Sequence, residues 1–259
     1  MSKKTELCIQ WIKDYFADNP EGKAIIGISG GKDSTIAAAL CVEALGPERV
    51  IGVLMPQGKQ KDINDSYEVV ASLKLQYHVV NIGSACEELY HFIDDAVFLC
   101  YGKDGGVENN PMVKTNLPAR IRMTTLYAVA ALYPNSRVVN TCNASEDYVG
   151  YSTKYGDAAG DFSPLGMLTV REVLEIGDDL GLPRHLVHKA PSDGMCGRTD
   201  EDNLGFTYEE LDAFLLEGQV PADPEKAKRI MTLHLQSRHK YRPMPTFCWQ
   251  DYDKDWTNI

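Results

Sequence analysis

The 259-residue sequence has no long apolar stretch. Its longest uninterrupted run, Leu126 to Tyr133, is eight residues, against the roughly 20 that a membrane-spanning helix needs. No membrane span is expected. The N-terminal MSKKTELCIQWIKDYF lacks the apolar core of about 7–15 residues that marks a secretory signal. Positive charge is scarce: 26 Lys and Arg stand against 37 Asp and Glu, a net charge of −11. Proteins that track a nucleic-acid backbone draw affinity from neutralised phosphates, so no nucleic-acid partner is expected. The seven cysteines, at 8, 41, 86, 100, 142, 196 and 248, are odd in number and no two have C-x-x-C spacing. That argues against a disulfide framework and a zinc ribbon, and for a reducing, cytoplasmic setting. Most of these thiols are expected to be small buried hydrophobes. No repeat, low-complexity tract or linker divides the chain, and residues 1–259 read as a single domain.

What the chain does have is alternation. Leu7, Cys8, Trp11, Ile12, Tyr15 and Phe16 repeat at helical spacing. Apolar runs at 24–28 and 50–55 read as buried strands, and 77–82 and 137–141 read as a third and a fourth strand. Helical patterns at 34–45, 62–73, 87–99 and 117–133 stand between them, with Pro118 in the first turn of the last. Further helices are expected at 169–180, 208–216 and 225–237. Residues 101–111, 143–164 and 190–205 are polar or glycine-rich and read as loops, the long ones functional. The order implies an α/β fold: a Rossmann-like parallel sheet flanked by helices in three layers, α/β/α.

Gly27-Ile28-Ser29-Gly30-Gly31-Lys32-Asp33-Ser34 lies between the first strand and its helix. Backbone N–H groups and the positive end of a helix meet there, which suits a phosphate. Ser29 and Ser34 add hydroxyl donors. Asp33 would repel a phosphate by itself, and fits when a hard cation such as Mg²⁺ bridges the two. The segment is not a P-loop, because Gly27 and Gly31 are three residues apart and Asp33 follows Lys32. It does satisfy G-x-S-x-G, the nucleophile elbow, with Ser29 as nucleophile and His234 or His239 as base. Only one strand can precede Ser29, however, and no His-Gly-Gly segment does. His185 and His188 have no third partner in register for a metal and read as surface or packing residues.

The loop Ser29 to Ser34 resembles the pyrophosphate loop of the ATP pyrophosphatases. Asn116-Leu117-Pro118-Ala119-Arg120-Ile121-Arg122-Met123 with Leu126-Tyr127 resembles the N-x-x-A-R-x-R-M…Y helix of one branch, the NAD synthetases. Val138 to Glu146 is similar to their strand ending in threonine with a glutamate five residues on. Gly150 to Asp157, then Asp161 and Pro164, resembles G-[YF]-x-T-K-Y-G-D…D…P. Pro191-Ser192, Thr199-Asp200-Glu201…Leu204-Gly205…Tyr208…Asp212 and His239-Lys240…Pro243 follow the same family's order.

The resemblance implies an ammonia-dependent ligase. ATP would adenylate the nicotinate carboxylate of deamido-NAD and release pyrophosphate; ammonia would then displace AMP and leave NAD. It assigns the cradle for ATP to Gly27, Ile28, Ser29, Gly30, Gly31, Lys32, Asp33 and Ser34, with Thr141 and Ser192 also on ATP. It gives Mg²⁺ to Asp33 and Glu146, and catalysis to Asp33, Glu146 and Lys154. It gives deamido-NAD to Arg120, Lys154, Asp161, His239 and Lys240, the last two beside a partner subunit of a homodimer. No segment has room for a glutaminase domain, so free ammonia is the expected nitrogen source. Two positions depart from the pattern. Lys32 replaces an apolar or small residue, and Val170, followed by Arg171, replaces a phosphate-contacting lysine. The competing readings are another ATP pyrophosphatase, such as a tRNA thiolase, and a non-catalytic adenine-nucleotide-binding module. The first would want a basic surface; the second has no use for both Asp33 and Glu146.

Overall fold

Four short strands make one parallel sheet, ordered β3-β2-β1-β4. The computed structural model describes residues 1–60, 62–101, 106, 110–189 and 199–247. In chain order the elements are α1 (Lys3–Tyr15), β1 (Ala24–Gly27), α2 (Lys32–Leu45), β2 (Val50–Leu54), α3 (Ile63–Ser72), β3 (Gln76–Val79), α4 (Gly83–Tyr101), α5 (Pro111–Ala130) and β4 (Arg137–Val138). They continue with α6 (Ala144–Val149), α7 (Val170–Asp179), α8 (Arg184–Val187), α9 (Asp200–Leu204), α10 (Tyr208–Glu217) and α11 (Pro224–Ser237). Ala24 is in register with Val50 on one side and Arg137 on the other.

The central strands β1 and β2 read as continuous apolar runs because both their faces are covered, whereas the edge strand β3 is largely exposed. Ala24, Ile26, Val50 and Leu54 face a core shared with α1, α2, α7 and α8. Ile25, Ile51 and Val53 face a second core with Cys86 of α4 and Val129 and Ala130 of α5. This is the expected three-layer α/β/α arrangement. Each fully buried Ile or Leu contributes about 1.5–3 kcal/mol, so the two-sided core, rather than helix propensity, holds the sheet. A third cluster joins α6, α9, α10 and α11 through Val149, Leu204, Leu211 and Ile230.

The strand order reverses between β1 and β4. Open parallel sheets bind ligands at that point, beyond the carboxyl ends of the strands. The Ser29–Lys32 loop leaves β1 there, and Thr141–Asn143 leaves β4 beside it.

The structure departs from the sequence-based expectations at several elements: β3 ends at Val79, short of Ile82, and is largely exposed, and α9 forms within the 190–205 segment read as a loop. β4 stops at Val138; only a single bridge, Val139 to Phe162, extends it. The helix expected at 117–133 begins at Pro111, where Asn110 accepts from the Met112 and Val113 N–H groups, and Pro118 sits inside it. The helix expected at 87–99 is longer, Gly83–Tyr101. Residues 143–164 contain the short helix α6, which is stabilised by its cap rather than by an apolar stripe.

Candidate active site

Gly30 turns the chain at φ +78°, and a Cβ there would lie 2.8 Å from Asp65 Cβ and 2.9 Å from the Ser66 nitrogen. Only glycine takes that conformation without strain. Gly31 then opens α2 with no side-chain cap, which leaves the first N–H groups of a 14-residue helix for an acceptor from outside. Ser29 Oγ and Ser34 Oγ lie 3.0 Å apart, and Ser29 Oγ accepts from the Gly31 N–H at 3.2 Å. Donors, hydroxyls and helix end converge as an anion seat.

A charged cluster lies against that seat. Lys32 Nζ donates to Asp33 Oδ2 at 2.7 Å and stands 4.0 Å from Glu146 Oε1. It lies 5.7 Å from the centre of the Tyr208 ring, and Lys32 is only 6% exposed. Burial opposes the ammonium charge, but Asp33 and Glu146 outweigh it and hold Lys32 above the usual lysine range. Glu146 is pushed well above the usual carboxylate range, first by burial and then by Asp33. Burial, with Glu146, Asp200 and Asp33, also keeps the Tyr208 phenol neutral. Its buried hydroxyl has no hydrogen-bond partner among the described residues.

Asn143 ties the two carboxylates together. Its Nδ2 donates to Asp33 Oδ1 at 3.0 Å, its backbone N–H donates to Glu146 Oε2 at 3.3 Å, and its Oδ1 accepts from the Glu146 N–H at 3.0 Å. The last two bonds form the capping box of α6. Sequence reading assigned Asn143 no role; the signal was an N-cap asparagine three residues before a glutamate. Tyr208 and Asp200 were likewise given none. Thr141 is half-buried three residues past β4.

The residues expected on the second substrate form a separate group. Lys154 Nζ donates to the His239 carbonyl at 2.8 Å, and Arg120 Nε donates to the Lys154 carbonyl at 3.3 Å. Lys240 Nζ donates to the Gly150 and Ser152 carbonyls at 2.7 and 2.6 Å. These bonds seat residues 150–154 against the turn after α11. Asp161 is bound elsewhere: Oδ2 accepts from the Val138 N–H at 2.7 Å and Oδ1 from the Tyr127 hydroxyl at 3.1 Å. Tyr127 follows Arg120 by seven residues, two turns along the same face of α5. Ser192 lies outside the described residues.

Arg171 does not stand in for the missing lysine here. Its Nη1 pairs with Glu217 Oε1 at 2.7 Å on the surface, and Val170 is buried in the third cluster. His185 pairs with Glu68 and His188 with Asp178. Among the described residues no group of three His, Cys, Asp or Glu could hold a metal by itself, and no helix is long and apolar enough to cross a membrane.

A family model, NAD synthase, matches residues 4–244 of this chain. The chain belongs to the NAD synthase family. An NH(3)-dependent NAD(+) synthetase of Archaeoglobus fulgidus is 36% identical over 249 residues, covering 94% of this chain and 95% of that one. Two solved structures extend the likeness. One, an NMN synthetase from Francisella tularensis, is 34% identical with a TM-score of 0.82, covering 94% of this chain and 97% of the other. An NH3-dependent NAD synthetase from Campylobacter jejuni is 30% identical with a TM-score of 0.70, covering 96% and 99%. Family membership fits the cluster's donor chemistry. Two hard carboxylate oxygens face one cation position, and with no third His, Cys, Asp or Glu ligand among the described residues an ion held there would complete its shell from phosphate and water. Mg²⁺ binds in that way, through one or two carboxylates plus substrate phosphates.

Proposed function

We propose that this chain is an ammonia-dependent ligase that amidates the nicotinate carboxylate of deamido-NAD at the expense of ATP. The observation that carries it is the Lys32, Asp33 and Glu146 cluster set against the open N-terminus of α2, at the point where the sheet order reverses.

A carboxylate does not exchange oxide for ammonia directly. Its oxygen attacks the α-phosphorus of ATP, the bond from that phosphorus to the bridging oxygen breaks, and pyrophosphate leaves. Ammonia adds to the acyl carbon, loses a proton, and AMP departs with the C–O electron pair. The residues at Gly27 to Ser34 bind the departing pyrophosphate through backbone N–H groups, with the two serine hydroxyls beside them. Charge grows on that group in the transition state, so fixed donors there act on the rate. Asp33 and Glu146 would hold Mg²⁺, which when bound neutralises phosphate charge. Thr141 and Ser192 complete the ATP side. Arg120, Lys154, Asp161, His239 and Lys240 form the deamido-NAD side.

Protein mixed with ATP, Mg²⁺, deamido-NAD and ammonium should yield NAD and AMP in equal amounts. ADP as the nucleotide product would contradict the reading. The Francisella likeness, with the higher TM-score, favours a second reading in which the amidated substrate is nicotinate mononucleotide and the product is NMN. The same assay with that mononucleotide separates the two, through the ratio of kcat/KM values.

We also infer a homodimer. Leu7 and Trp11 of α1, Phe92 and Phe98 of α4, and Met112 of α5 are exposed, and a two-fold pairing would bury such surface against a second copy. A light-scattering mass near 28.8 kDa at full activity would contradict it.

A further inference from the structure

A lysine in the first turn of a helix is at the wrong end of the helix dipole. Lysine is also almost never fully buried unless it is paired. Lys32 is both, as the first residue of α2 and 6% exposed. Something other than the helix must hold it there, and the distances show what does. Asp33 Oδ2 is 2.7 Å from Nζ and Glu146 Oε1 is 4.0 Å away, while the Tyr208 ring covers a further side at 5.7 Å. Among the described residues no other lysine or arginine forms an ion pair with either carboxylate. The ammonium sits in a seat shaped for a cation.

We propose that Lys32 is a built-in counter-ion that occupies the cation position between Asp33 and Glu146 in the nucleotide-free protein, so that a divalent metal enters only together with ATP. The proposal rests on the reading above that these two carboxylates take the metal. The physical reason is exclusion. A divalent ion bound by Asp33 and Glu146 would stand within a few ångströms of an ammonium in a poorly solvated site, where like charges repel strongly. Without nucleotide, the metal gains two carboxylates and must evict a cation that already satisfies them. With ATP, phosphate oxygens supply the rest of the metal's shell and give the ammonium a new anionic partner. The cation is then exchanged rather than added. Lys32 is in this account a positioning residue, which sets the order of assembly and keeps two half-buried carboxylates from facing each other uncompensated.

The test uses Mn²⁺ as the probe and counts bound ion by electron paramagnetic resonance on the full chain. Wild type should show no saturable Mn²⁺ binding alone, and one site per chain when the non-cleavable α,β-methylene analogue of ATP is present. Lys32→Met should bind Mn²⁺ without nucleotide at least about tenfold more tightly than wild type. Its melting temperature should rise with Mn²⁺, whereas that of nucleotide-free wild type should not. In Lys32→Met/Asp33→Asn the gain should vanish. Wild type that binds Mn²⁺ equally well with and without the analogue would overturn the proposal, and that comparison stands even if Lys32→Met fails to fold. Asp33→Asn that kept full analogue-dependent Mn²⁺ binding would overturn the carboxylate-pair reading itself, a result distinct from failure of Lys32's part.

Discussion

Asn143 Nδ2 donates to Asp33 Oδ1 across 110 positions of sequence. Through the same residue, the backbone N–H and the side-chain oxygen of the cap fix Glu146. The loop after β1 and the loop after β4 are thus locked to each other by one amide side chain. Asp212 does similar work behind the site: its two oxygens accept from Ser145 Oγ at 2.5 Å and from the Arg171 N–H at 2.7 Å, which joins α10 to α6 and α7.

Asn143→Ala should cost both stability and rate. Loss of an N-cap costs about 1 kcal/mol, and a carboxylate left short of a buried donor costs about another 1–2 kcal/mol. For a chain of this size that is a fall of roughly 4–12 °C in melting temperature. Asn143→Ser restores the cap acceptor but not the amide donor to Asp33. It should recover part of the melting temperature and little of the activity. An alanine variant melting within about 1 °C of wild type would refute the clamp.

Asp33→Asn should lower kcat by about 10²–10³, the scale of losing one fixed electrostatic partner of a developing charge. The Mg²⁺ concentration needed for half-maximal rate should rise with it. Glu146→Gln should behave alike. Because the two carboxylates face one cation, their effects should be far from additive in the double variant. Near-normal activity in Asp33→Asn at low Mg²⁺ would remove it from the metal site.

The parts of this molecule that could be read from sequence are those decided locally. The central strands were visible because burial on both faces makes each a continuous apolar run, as in Val50–Leu54, whereas the ends of the exposed edge strand β3 were misplaced. The anion loop was visible because Gly30, Gly31 and Ser34 fall in one short segment. What stayed hidden depends on distant contacts. The partners of Lys32, Glu146 and Tyr208, arrive from other elements, and no spacing rule links them. The start of α5 was misplaced because two prolines compete for the first turn. The side-chain acceptor of Asn110 settles it in favour of Pro111. The helix α6 was missed because six residues give no periodicity to detect. Arg171 also had to be seen in space, since adjacent helical positions differ by ~100° and its direction decides its partner.

The docking of α1 should be acid-labile. Asp179 Oδ2 accepts from the Ser2 N–H at 2.9 Å and from the Thr5 hydroxyl at 2.6 Å, and these bonds lower its carboxyl to about 2. A carboxyl depressed in the folded state stabilises above its unfolded pKa, near 4, and that contribution is lost as pH falls through the folded value. The window is therefore about pH 4 down to about 2. Asp179→Asn should melt below wild type at pH 6, and the gap should close across that window. A gap that stays constant from pH 6 to pH 2 would show that the carboxylate charge is not what fastens α1.

The nitrogen source follows from the state of the thiols. Release of ammonia from glutamine by a cysteine needs a thiolate. Cys41 is fully buried and its thiol is pushed up to about 12. Burial also raises Cys8 and Cys86, and lifts Cys142 well above the ordinary range. Cys142 Sγ, one residue past Thr141, donates to the Asp157 carbonyl at 3.3 Å. Burial favours the neutral thiol in these four; Cys196, Cys248 and the side chain of Cys100 lie outside the described residues. Ammonia-free glutamine should therefore give the isolated chain almost no amide product. Ammonium should support turnover, faster at higher pH as more of it becomes unprotonated. Other groups in the site titrate as well, so pH alone does not separate the causes. Varying total ammonium at several fixed pH values does: if free ammonia is the nucleophile, kcat/KM for ammonia, calculated on the unprotonated form, should change far less with pH than the same ratio calculated on total ammonium. Glutamine-driven turnover equal to the ammonium rate would place a working thiolate in this chain and overturn the assignment.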